Sequence, residues 1–98
     1  MSEELTNATL RDLKARAQRL EAVLHVGKSG LSDSLLSAVG AALKEHELIK
    51  IKFVAFKEEK KTLAPLLAEK TSSRLVMRVG NVAVLFRPRS RSISRPNI

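Results

Sequence analysis

Three features of the chain predict an α/β (α+β) fold: a small single domain of element order α-β-α-β-α-β-β, whose mixed four-stranded sheet carries helices mainly on one face. Apolar residues recur at helical spacing in separate segments, Leu48 to Val54 alternates apolar and polar, and Gly80-Asn81 divides two short runs rich in β-branched residues. With 98 residues, 44% of them hydrophobic, the chain can fill one modest core.

The elements follow in order. Thr9 with Asp12 three residues later reads as a capping-box-like helix start, and Leu10, Leu13, Ala17 and Leu20 recur along one face after it. Val23-Leu24-His25-Val26 is short, β-branched at both ends and closed by glycine, which predicts a buried strand. Ser32 is a suitable N-cap for a second helix with Asp33 in its first turn; Leu35, Leu36, Val39 and Leu43 form its apolar stripe, and it should run to about Glu47. The next strand places Ile49, Ile51 and Phe53 on one face and Lys50 and Lys52 on the other. Leu63, Leu66 and Leu67 predict a third helix within 60–70, where Pro65 would be easiest to accommodate in a first turn beginning near Ala64. Leu75, Met77 and Val79, the Gly80-Asn81 turn and Val82 to Phe86 complete a hairpin. Residues 1–88 are thus the expected domain. Residues 89–98 are expected to form a flexible basic tail, since Arg87 to Pro96 has four arginines, no acid and little to bury.

Charge narrows the function. The net +8 divides into −1 over residues 1–47, with 6 basic and 7 acidic side chains, and +9 over residues 48–98, with 12 and 3. Such an excess repels itself and is best explained by a polyanionic partner. Cysteine is absent, which removes disulfides, thiolate metal sites and thiol catalysis. The opening Met-Ser-Glu-Glu is unlike a signal peptide, and no apolar run approaches the roughly 18 residues of a membrane span, so the expected setting is cytoplasmic, with no membrane partner.

Gly27-Lys28-Ser29-Gly30, between the first strand and the second helix, is the motif that suits an anion. Glycines allow close backbone approach, main-chain amides can hold a phosphate, and Lys28 adds a charge. A nucleotide-binding loop of the form G-x-x-x-x-G-K-[ST] would need glycine at Ala22, so NTP chemistry is not expected. A G-x-x-G turn that clamps a sugar-phosphate backbone needs only the two glycines, although glycines at such a junction also serve geometry alone. His25 and His46 have no nucleophile or carboxylate at a telling spacing, and Glu58-Glu59 lies among lysines as a solvated turn. Neither enzyme activity, metal, cofactor nor small-molecule substrate is expected. With only Phe53, Phe56 and Phe86 as aromatics, a broad base-stacking platform is poorly supported, so phosphate and shape contacts should dominate.

Taken with His46-Glu47-Leu48-Ile49-Lys50-Ile51-Lys52, with Val79-Gly80-Asn81 and with Val84-Leu85-Phe86-Arg87-Pro88, the glycine loop makes the chain resemble the CRM domain family, in particular its stand-alone bacterial YhbY-like RNA-binding members, over Thr9 to Pro88. The resemblance implies a fold similar to the C-terminal domain of translation initiation factor three. It also implies RNA binding, association with precursors of the large ribosomal subunit, and a kinship with domains of plant proteins that assist splicing. By position the family's loop is Gly27, Lys28, Ser29 and Gly30, its basic strand carries Lys50 and Lys52, and its last strand ends at Arg87. Phe86 stands where tyrosine is common, and the arginine-serine tail is unusually basic. The expected RNA contacts are therefore the loop, Lys50, Lys52 and Arg78 as a positive track, and Arg87, Arg89 and Arg91 at the end of the domain. Possible partners on the same charge are ribosomal RNA, an acidic ribosomal or assembly protein, and, with less support, duplex DNA.

Overall fold

One sheet organises the protein: in a computed structural model that describes residues 6–88, four strands lie in the order β1-β2-β4-β3, with β1 Ala22–Val26, β2 Leu48–Phe53, β3 Arg74–Val79 and β4 Val82–Phe86. β1 runs parallel to β2, whereas β2 and β3 both pair antiparallel with β4. A parallel pair needs a crossover, and α2, Asp33–His46, supplies it. The predicted mixed four-stranded sheet is present; the tail, with Arg89 and Arg91, lies outside the described residues.

Strand alternation divides the core between the two faces. Val26, Ile49, Ile51, Phe53, Ala83 and Leu85 pack with Val39 and Leu43 of α2 and with Ala64, Leu67 and Ala68 of α3, Lys60–Lys70. Leu48, Val76 and Val84 instead bury Leu13 and Ala17 of α1, Asn7–Ala17, with Leu10, Met77 and Phe86 around them. Of the three α-helices among the described residues, α2 and α3 therefore share a face, and α1 covers part of the other. Phe53, Leu43, Leu67 and Leu85 are fully buried, each worth roughly 1.5–3 kcal/mol of transfer free energy. A register shift between Leu75 and Met77 inserts an extra residue into β3, which brings Val76 and Met77 both to the α1 cluster.

Helix ends refine the sequence reading. Thr6, not Thr9, caps α1: its Oγ1 accepts from the Thr9 N–H at 3.1 Å, so the helix begins earlier than the Thr9/Asp12 pair suggests. Leu20 then falls beyond the helix and is 38% exposed. Ser32 caps α2 as expected, its Oγ accepting from Leu35 N–H at 3.1 Å. α3 begins at Lys60, directly after a 3-10 turn at Lys57–Glu59, so Pro65 sits inside the helix. Proline removes the N–H that would reach the Lys61 carbonyl, and both residues are exposed, so water can take its place. Gly80 opens the hairpin turn with φ +58°, the left-handed geometry that glycine tolerates at the first turn position.

Candidate nucleic-acid interface

The glycine loop is rooted at the end of β1. The Val26 carbonyl accepts from the Val54 and Ala55 N–H groups, each at 3.0 Å, which ties the loop to the segment leaving β2. Gly30 N–H donates to the Gly27 carbonyl at 3.0 Å, closing a four-residue turn with Lys28 and Ser29 at its tip. Both tip residues are exposed. Among the described residues, neither side chain has a hydrogen-bond or ion-pair partner, and their N–H groups donate to no carbonyl. Unspent donors beside an unpaired ammonium group are what an anion requires. The helix terminus contributes less, because Ser32 occupies the Leu35 N–H and Asp33 places a carboxylate in the first turn, where it competes with any incoming phosphate.

The two glycines have different reasons to be there. Gly30 takes φ +65°, and a Cβ on it would lie 3.5 Å from Phe56 Cε2. Gly27 has no such φ, and a Cβ there would meet nothing within 4 Å. Gly30→Ala is therefore expected to lower stability by about 1 kcal/mol or more, while Gly27→Ala leaves it unchanged or slightly raised. Urea midpoints of the two variants, followed by circular dichroism, check this; a larger loss at Gly27 would contradict it. Open space at Gly27 is space in which a backbone-hugging ligand can sit.

Strand register places the cations. Lys52 lies beside His25, two residues before Gly27, and is exposed on the sheet face that α1 partly covers. Lys50 shares that face; its Nζ donates to the Leu20 carbonyl at 3.0 Å, at the rim of a cavity of about 280 Å³ lined also by Gln18, Met77, Val79, Val82 and Val84. Arg78 pairs with Ala83, a residue of the α2/α3 core, and so belongs to the opposite face. Arg87 is held inside the fold: Nη1 donates to the Thr71 carbonyl at 2.7 Å and Nη2 to the Gly40 carbonyl at 3.0 Å. Phe86 packs against the α1 cluster. The pleat thus puts Lys52 and Lys50 on one face, with the turn that carries Lys28 continuing from the end of β1 paired with Lys52 and Phe53, while Arg78 faces the other side and Arg87 is bonded to carbonyls of the fold. Phe56, which is no candidate on sequence grounds, has its ring edge beside Gly30, 3.5 Å from where a Cβ would lie. Its only sequence signal is an aromatic residue in a lysine-rich turn.

Comparison with known proteins bears on this arrangement. The family model described as CRS1 / YhbY (CRM) domain matches residues 5–87. The chain is 33% identical over 84 residues to "Probable RNA-binding protein YqeI" of Bacillus subtilis, spanning 85% of this chain and 88% of that protein. It is 35% identical over 77 residues to a protein of Haemophilus influenzae named "RNA-binding protein", spanning 78% of each. The solution structure of SAV1595 from Staphylococcus aureus superposes with a TM-score of 0.75 at 30% identity, covering 93% of this chain and 95% of that one.

Proposed function

The chain belongs to the CRS1 / YhbY (CRM) domain family, and from that premise we propose that it is an RNA-binding protein that grips ribosomal RNA and assists maturation of the large ribosomal subunit in the cytoplasm. The observation that carries the reading is the exposed Lys28-Ser29 turn, whose amides and ammonium have no partner among the described residues and which continues from the strand paired with the solvent-facing Lys52. Anionic backbone enters at the turn, follows Lys52 and Lys50 across the open part of the α1 face, and is recognised mainly by shape and charge. Arg78 joins only where the RNA also reaches round the edge strand β3, which has a single neighbour in the sheet. Arg87 supports the site by holding the fold, and Arg89 and Arg91 add charge from the chain beyond it. The role is binding, without catalysis or cofactor.

If about four to six phosphates are engaged, log affinity falls against log salt with a slope of roughly −3 to −5. A titration at several salt concentrations measures it, and a nearly flat line contradicts the mechanism. Cross-linking in cells followed by sequencing of the attached RNA tests the target: enrichment of large-subunit precursor RNA is expected. Partners that survive nuclease treatment, with no RNA recovered, would overturn the reading in favour of protein docking.

A further inference from the structure

We propose that Phe56 is a stacking surface for one nucleobase, set beside the phosphate grip so that a single nucleotide is held at both ends; this rests on the RNA-binding reading of the Gly27–Gly30 turn. Of the three aromatic residues, Phe53 is fully buried and Phe86 packs against the α1 cluster, whereas Phe56 is 40% exposed. Exposure of one ring is ordinary by itself. Its backbone is not: Phe56 takes φ 56°, ψ 38°, a left-handed conformation that a bulky side chain rarely adopts. The turn from β2 into Lys57–Glu59, closed by Glu59 N–H donating to the Phe56 carbonyl at 3.1 Å, asks only for that backbone geometry, which glycine or asparagine would supply more easily.

What phenylalanine adds is contact with the loop. Cε2 and Cζ lie 3.5 and 3.9 Å from the point a Gly30 Cβ would occupy, so two left-handed residues from separate loops meet there. That edge of the ring faces Gly30, on the turn whose tip carries Lys28 and amides that have no partner among the described residues. An anion-holding turn and a partly open π surface in contact match the two parts of one nucleotide. Stacking of this kind tolerates any base, in keeping with recognition by backbone and shape.

The chain has no tryptophan or tyrosine, so Phe56→Trp introduces the sole strong fluorophore at the proposed site. A single-stranded oligouridylate should quench its emission, and an abasic ribose-phosphate oligomer of equal length should not. Phe56→Leu, which keeps an apolar contact with Gly30, should bind the oligouridylate about tenfold more weakly and the abasic oligomer unchanged. Wild-type protein should itself prefer the oligouridylate. Equal wild-type affinity for the two probes, or undiminished oligouridylate binding by Phe56→Leu, overturns the stacking role and leaves phosphate binding standing. Failure of the wild type to bind either probe or structured ribosomal RNA removes both proposals.

Discussion

Replacing Arg87 with methionine is expected to lower stability by about 2–3 kcal/mol, which for a domain of this size moves the melting temperature down by roughly 10–20 °C. The guanidinium bridges the Thr71 carbonyl, where α3 ends, and the Gly40 carbonyl in the middle of α2, so it ties both helices to the first residue beyond β4. Thr71 is itself buried and completes the joint, its Oγ1 donating to the Leu67 carbonyl at 2.8 Å. Methionine keeps most of the apolar stem but leaves two part-buried carbonyls without charged donors, and hydrogen bonds to charged groups are the stronger class. Lysine should recover only part of the loss, because one ammonium cannot reproduce a planar fork aimed at two separate acceptors. Thermal unfolding of the three proteins measures this. A methionine variant as stable as wild type would mean that the clamp contributes nothing. The outcome also governs how binding data are read, since RNA affinity lost at Arg87 can report a loosened scaffold in place of a lost contact.

Lys28→Glu is expected to weaken RNA binding by roughly ten- to a hundredfold and to shallow the salt slope by about one, with stability changed by no more than about 0.5 kcal/mol. Lys28 is exposed at the turn tip and has no partner among the described residues, so their packing loses nothing when its charge reverses. A bound phosphate would lose an attraction and meet a repulsion. Lys70→Glu is the matched control. It makes the same change in net charge at the end of α3, near the Arg74–Phe86–Leu48 end of the sheet, while the glycine loop follows the Val26–Phe53 end. Filter binding at two salt concentrations, with melting curves for both variants, separates local from general electrostatics. Equal losses at the two positions would reduce the site to diffuse charge; no loss at Lys28 in a folded protein would remove the loop from it.

Much of this architecture was legible because its signals are local. Ser32 caps α2 through an N–H three residues away, Gly80 carries the hairpin's positive φ, and Ile49, Ile51 and Phe53 alternate onto the buried face within a single strand. Where local signals tie, position shifts: Thr6 and Thr9 are both competent caps, and Thr6 takes the role, its Oγ1 accepting from the Thr9 N–H. The third helix expected within 60–70 is present as Lys60–Lys70, but Pro65 lies inside it and not in a first turn near Ala64: an exposed helix face lets water replace the missing bond, and the buried Ala64, Leu67 and Ala68 hold the helix across it.

The order of helices and strands and the glycine turn between β1 and α2 follow from residues within a few positions of one another, and the concentration of positive charge in the second half follows from composition alone. Which of those cations share a surface is set by the fold. Lys50 and Lys52 face one side by pleat, Arg78 faces the other, and Arg87 is drawn inward to carbonyls 16 and 47 residues away. The meeting of Phe56 with Gly30 has the same origin: it joins loops that follow different strands, and the pairing of β1 with β2 brings them together. Periodicity and capping act along the chain, whereas shared surfaces and clamps are made by strand register and helix packing between distant segments.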